Sequence, residues 1–292
     1  MFPLKQLANI QANPDKYRLL QEVPFLSITD CPHRLAETVG DELLLCVIDT
    51  ETTGFSETKN EMIEFGWTKC LYSPSADAII EILSIGSMYQ EPSAPIPELI
   101  TQITGITDDM VKGHTFDLPM VADVLLNGEP LVLAHNKSFD SRFIEGTFGQ
   151  NVLFGKSIKW GCTVNDIDWK AKGFASKSLE MLLLSSGYFY PAHRASIDCL
   201  ALTHLLNITP NAINELIASV ETQFYTVDAI GSPFDSKDIL KANGFKWNAD
   251  AKVWQRKVTE SDVERTKGLL TSLYHLGGQQ ARITPISIVT EY

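Results

Sequence analysis

Two apolar stretches of this chain run straight into acids, and that limits the folds open to it. LLLCVIDTETTGF (43–55) reads as a buried strand ending in Asp49 and Glu51, one residue apart. LVLAHNKSFDSRF (131–143) is a second apolar run, ending in polar residues and Asp140. A third segment, YPAHRASIDCLAL (190–202), sets His193 five residues before Asp198, where an apolar helical pattern opens. Carboxylates at the ends of apolar strands are expensive unless positive charge meets them. Residues two apart on a strand face the same side, so Asp49 and Glu51 share one face. Asp198, on the first turn of a helix, would approach from another side. A pair of divalent cations would satisfy all four acids.

Together these elements resemble the DnaQ-like, or DEDDh, 3′–5′ exonucleases, a family that includes the proofreading epsilon subunit of bacterial DNA polymerase III. The DxE element is Asp49 and Glu51, HNxxFD runs from His135 to Asp140, and HRAxxD runs from His193 to Asp198. A sister class carries Tyr four residues before its last Asp. Arg194 stands there and His193 lies one residue earlier, so the His subclass fits. PSAPIPELITQITGITDDMV (92–111) is similar to a linking stretch of the family, and the resemblance spans roughly residues 40–208.

The resemblance implies a phosphodiester hydrolase using two Mg²⁺ or Mn²⁺, hard cations that prefer carboxylate oxygen. It implies that Asp49 touches both metals, that Glu51 and Asp198 complete one site, and that Asp140 holds the second. It makes His193 the general base, a role suited to a group that exchanges protons near neutral pH. The backbone amides of Thr50 and Thr52 are placed to approach a terminal 3′-OH or phosphate. Phe55 either stacks on the terminal base, a contact tolerant of sequence, or packs in the core. Asn136 either bonds the terminal nucleotide or forms a turn. Ile106 either wedges between the last two bases or pins a loop to the core. The expected substrate is a nucleic-acid 3′ end, with single-stranded DNA favoured, in a proofreading or repair-like setting. An RNA-trimming exoribonuclease would use the same five residues. A non-catalytic module held by a DNA polymerase subunit would need no metal pocket.

The net charge of −12 runs against a nucleic-acid partner, because phosphate contacts favour Lys and Arg. Its distribution is uneven. Residues 1–222 hold 15 Lys and Arg against 28 Asp and Glu, whereas residues 223–292 hold 9 against 8. Bound cations would offset the four site acids locally. The remaining acidity argues against tight, sequence-independent duplex binding and permits brief engagement of a strand end. No apolar run reaches the about 18 residues of a membrane span, and the N-terminus lacks a signal-peptide layout. Five scattered cysteines without CxxC spacing suggest a reducing, cytoplasmic setting without structural zinc.

With 292 residues and 44% apolar content, the chain suits one large domain and a small one. Residues 1–39 read as an extension clamped on the main domain, with a short helical pattern at Tyr17, Leu19, Leu20 and Val23. Residues 40–210 form the expected exonuclease domain. Strands near 43–49, 61–70, 78–89 and 131–134 alternate with helices near 97–103, 107–112, 117–126, 138–147, 163–168, 176–186 and 196–206. Three antiparallel and two parallel strands with helices outside make an RNase H-like α/β fold with a mixed five-stranded sheet. A linker helix is expected over 211–222. The C-terminal residues 223–292 read βαββαβ, a small α+β, ferredoxin-like sandwich ending in a strand over 281–289. There, Phe245 and Trp247 are expected on one face of a hairpin, near Trp254 and several Lys and Arg. Trp160 and Trp169 are expected in the core.

Overall fold

The structure, a computed structural model, describes residues 6–153 and 155–286. Strand β1 (Leu43–Thr52) lies inside the main sheet because it is apolar on both faces; Leu45, Cys46, Val47 and Ile48 are each at most 1% exposed. It pairs antiparallel with β2 (Met62–Ser73), which pairs antiparallel with β3 (Ala78–Tyr89). On its other side β1 pairs parallel with β4 (Leu131–Ala134), and β4 with β5 (Lys159–Cys162). Parallel strands buried on both faces read as continuous apolar runs, as LVLA does. A two-residue strand, His33–Arg34, adds to the edge of β3. The sheet therefore has six strands rather than five, and the sixth comes from the N-terminal extension.

That extension is not helical at Tyr17–Val23. Gln21–Glu22 pairs parallel with Tyr188–Phe189, because the Gln21 and Val23 amides bond the carbonyls of Gly187 and Phe189. Val23 and Phe25 are buried, and Phe25 packs edge-on against His204. The helix expected at 163–168 is also absent. The amides of Thr163 and Val164 instead bond the carbonyls of Ala134 and His135, and Asp166 accepts the Cys162 amide.

Helices α1 (Lys137–Phe148) and α2 (Ala195–Ile208) bring the remaining acids to the sheet. The core of α1 is Phe143, Ile144 and Phe148, packed with Cys46, Ile48, Phe65 and Val132. Helix α2 lies on β1, β2 and β3. Trp160 and Trp169 are both buried.

The chain divides into two units, Met1–Ile217 and Ala218–Tyr292. The boundary falls inside the helix Ala212–Glu221, whose Ile213 and Leu216 are buried, so its first half belongs to the larger unit rather than to a free linker. The smaller unit contains β6 (Phe224–Asp228), α3 (Lys237–Ala242), β7 (Lys246–Asn248), β8 (Val253–Thr259), α4 (Glu260–Leu273) and β9 (Arg282–Pro285). Its antiparallel sheet has the order β7-β8-β6-β9, the ferredoxin-like arrangement of a βαββαβ chain. Positions 287–289 of the expected last strand lie outside the described residues. Phe245 and Trp247 share the core side of the hairpin, because Trp247 opposes Trp254, which packs on the cluster that holds Phe245; Phe245 is 2% exposed, whereas Trp247 is 51% exposed at the rim. Phe245 follows the turn after α3, its amide bonded to the Leu240 carbonyl.

Candidate active site

One face of the sheet gathers acids. Asp49 lies opposite Gly66 and Glu51 opposite Glu64 in the β1–β2 ladder. Directly opposed residues on paired strands point to the same side, so this face carries three carboxylates. The N-terminus of α2 closes over it. A side chain at Gly66 would collide with the backbone of Ala195 and Ser196, so glycine lets the helix settle directly on β2. Asp198, in the first turn of α2, is thereby lowered beside Asp49. One oxygen from each of Asp49, Glu51 and Asp198 lies within 4.8 Å of the others, and all three residues are half-buried.

Gly66→Ala is expected to lift the start of α2 and destabilise the larger unit by about 1–3 kcal/mol, the usual cost of overpacking. Thermal unfolding would check it, and an unchanged midpoint would contradict the close approach.

Asp140 reaches the site from α1 and is not part of the trio. Thr50 points to the face opposite Asp49 and Glu51, and its hydroxyl donates to Asp140 Oδ1 at 2.9 Å. Asp140 is 3% exposed and Thr50 is 5% exposed.

The electrostatics are those of a repelling cluster. Burial raises the Asp49 carboxyl well above its ordinary range, and the charges of Asp140, Asp198, Glu51 and Glu64 raise it further. Burial, then Asp198 and Glu64, pushes Glu51 up to about 8. Burial pushes Asp140 up to about 7 against the opposing Thr50 hydrogen bond. Burial raises Asp198, while its hydrogen bonds and the His193 charge lower it. Among the described residues, none of Asp49, Glu51 and Asp198 forms a salt bridge. Close hard oxygens, partly desolvated and without a salt-bridge partner, fit a divalent cation.

His193 sits on the loop before α2, exposed, with φ at +69°. A left-handed backbone at a non-glycine residue is uncommon and marks a position held by its surroundings. Those surroundings are visible. Asp198 accepts the Tyr190 hydroxyl at 2.9 Å and the Arg194 amide at 2.9 Å, which brackets His193 between two fixed points. Arg194 Nε donates to Glu64 Oε2 at 3.3 Å, the Ala195 amide donates to the same oxygen at 3.2 Å, and Arg194 also bonds the Tyr89 hydroxyl.

Glu64, Gly66, Tyr190 and the Thr50 hydroxyl are absent from the residues singled out by sequence. Glu64 did leave a signal, as a lone acid inside the apolar run MIEFGW, where acids are rarely buried without a partner.

The substrate-contact residues fall into two groups. Phe55 is 81% exposed at the tip of a loop in which Asn60 accepts the Ser56 amide, so its ring is presented to solvent and does not pack in the core. Asn136 is exposed at the start of α1 and accepts the Ser138 hydroxyl. Thr52 is buried, with its hydroxyl bonded to the Gly54 carbonyl. Ile106 is wholly buried, packed with Ile63, Ile96 and Val111. Of its two readings, burial supports the one in which it pins the loop to the core. His135 is also structural. Its Nε2 donates to the Lys177 carbonyl, so Nδ1 accepts the Thr163 hydroxyl and the ring is neutral. Burial lowers its pKa, in agreement.

The chain is similar to several known proteins. The PolC-type DNA polymerase III of Clostridium perfringens is 34% identical over 125 residues, covering 42% of this chain and 8% of that protein. A DNA polymerase III subunit epsilon-like protein of Rhodobacter capsulatus is 29% identical over 211 residues, covering 64% of this chain and 24% of that protein. The chain thus spans less than a tenth of the length of the PolC-type relatives. Among solved structures, Exonuclease X in complex with 5′ overhanging duplex DNA matches at 24% identity and a TM-score of 0.43, covering 58% of this chain and 91% of that one. The exonuclease family model RNase_T matches residues 46–206, from β1 to the last turns of α2, enclosing all four acids and His193. The chain belongs to this exonuclease family.

Proposed function

We propose that the protein is a metal-dependent 3′–5′ exonuclease that removes nucleotides from the 3′ end of single-stranded DNA. The observation that carries this reading is the trio of Asp49, Glu51 and Asp198 oxygens within 4.8 Å of one another, beside a histidine on an exposed turn.

Asp49, Glu51 and Asp198 would hold one divalent ion, and Asp49 and Asp140 a second, with Mg²⁺ or Mn²⁺ the fitting metals. Bound there, the pair would supply charge stabilisation for the phosphoryl group and the leaving oxygen. His193 accepts the proton of the attacking water. Tyr190 and the Arg194 amide orient Asp198 and hold the His193 turn, while Thr50 fixes the Asp140 rotamer. Phe55, with its ring open to solvent, stacks on the terminal base. Asn136 and the amides of Thr50 and Thr52 contact the terminal nucleotide.

A second reading, a nuclease module working with a DNA polymerase subunit, draws on the names of the curated relatives. Five free cysteines support a cytoplasmic setting. No described helix is long and apolar enough to cross a membrane.

A digestion panel tests the reading. Single- and double-stranded DNA and RNA, labelled at the 5′ or 3′ end, are incubated with Mg²⁺, Mn²⁺ or EDTA. The 5′-labelled single-stranded DNA should shorten stepwise from its 3′ end with either metal and persist in EDTA. Shortening from the 5′ end, or digestion unaffected by EDTA, would refute the assignment. Faster digestion of RNA would move the substrate to RNA.

A further inference from the structure

The smaller unit leaves apolar surface uncovered, and its two most exposed large apolar side chains border one cleft. Phe234 is 78% exposed and Trp247 is 51% exposed. Trp247 lies on β7, an edge strand, opposite the half-buried Trp254, with ring centres 5.6 Å apart at 62°. These three rings border a cleft of about 460 Å³ between the turn at 229–234 and the β7–β8 hairpin. A cleft of that size suits a small ligand or a few units of a polymer.

Its charge is one-sided. Among the described residues, Lys237 and Lys252 are the charged ones lining it, and none of the lining residues is an acid. Lys237 Nζ stands 4.2 Å above the Phe234 ring, and Lys241 Nζ 5.8 Å from the Trp254 ring, so ammonium groups and aromatic faces alternate. The hairpin turn places Lys252 at the cleft with φ at +51°, a conformation that a lysine rarely adopts. Open aromatic faces paired with cations have one general complement, a flat base carrying a phosphate. An apolar peptide would satisfy the rings and leave the lysines without an anion. The segment as a whole is close to neutral, with 9 Lys and Arg against 8 Asp and Glu over 223–292, so the positive charge of the cleft is local.

We infer that the cleft framed by Phe234, Trp247 and Trp254 is a second nucleic-acid site, which stacks unpaired bases of a single strand and holds their phosphates with Lys237 and Lys252. It deepens the exonuclease reading and rests on it for the identity of the polymer. It adds a holding site for single strand to a protein whose larger unit is strongly acidic.

The test uses the full chain carrying Asp49→Ala, in EDTA, so that the probe survives. Fluorescence anisotropy measures the binding of labelled oligothymidylate and of an abasic phosphodiester chain of equal length. Adding Phe234→Ala and Trp247→Ala should weaken oligothymidylate binding by about tenfold or more and spare the abasic chain, because stacking acts on bases alone. Trp247→Phe should restore most of the affinity. Lys252→Gln should make the salt dependence shallower by about one counter-ion. Unchanged oligothymidylate affinity in the double variant, or an equal loss on both polymers, would overturn the site. The digestion panel with the wild-type chain decides the nuclease reading separately, so either idea can fail alone. Both exposed rings can be removed without opening the core formed by Val227, Leu240, Phe245, Val258 and Leu270, and circular dichroism would verify the fold.

Discussion

Asp49→Ala is expected to eliminate metal-dependent hydrolysis, with a loss of about 10³-fold or more, while the protein stays folded. Asp49 is the carboxylate on which Asp140, Asp198, Glu51 and Glu64 all act, so its removal dismantles the shared centre rather than one corner of it. Charge stabilisation by a metal is worth several kcal/mol in the transition state, and each 1.36 kcal/mol is a factor of about ten in rate. Asp198→Ala should match it, since it takes away a ligand and also frees the Tyr190 hydroxyl and the Arg194 amide. His193→Ala should behave differently. A general base contributes about 10²–10⁴-fold, and the exposed loop histidine supplies none of the three carboxylate oxygens of the trio. Its variant should lose rate and keep metal affinity, measured by Mn²⁺ titration calorimetry. Wild-type digestion rates in Asp49→Ala would remove the site assignment altogether.

The sequence conveyed this site unevenly. Strand alternation alone put Asp49 and Glu51 on one side, and the helical pattern after His193 put Asp198 on a first turn; both rest on local periodicity. The approach of α2 rests on Gly66, a residue without a side chain whose value lies in what it lets near, which no single-sequence pattern displays. Glu64 was legible as an oddity but not as a partner of Arg194, because 130 residues separate them. Ile106 sits in a polar-looking TGIT turn. Its burial depends on Ile63 and Ile96 arriving from elsewhere, so exposure was the natural and mistaken alternative. The second parallel strand was expected but not located as β5, because four residues containing a glycine carry no periodicity. Gly161 is there because Leu133 and Leu216 occupy the space a side chain would need. In the smaller unit the βαββαβ order was readable from alternating apolar segments. The exposure of Trp247 was not, because a shared face does not tell which of its residues lies at the rim of the core.

Without metal, the protein is expected to lose stability as pH rises from about 5 to 8, the reverse of a protein whose carboxylates are salt-bridged. The sign follows from the direction of the shifts. Glu51 lies near 8 and Asp140 near 7 in the folded chain, with Asp49 and Asp198 also raised, whereas unfolded carboxylates titrate near 4. Between those values the folded state binds more protons than the unfolded one. The contribution is whole below about pH 4 and drains away as pH climbs to about 8. In EDTA the thermal midpoint of the larger unit should fall by about 5–10 °C across this range, taking about 2–4 °C per kcal/mol for a unit of this size. Mg²⁺ or Mn²⁺ should recover the midpoint far more at pH 8 than at pH 5, because cations and protons compete for the same oxygens. Asp49→Asn should flatten the EDTA profile by deleting the most crowded charge while keeping the shape of the side chain. Calorimetry at matched ionic strength decides the matter: a midpoint that holds steady or rises with pH in EDTA would show that the four carboxylates do not repel one another as their geometry requires.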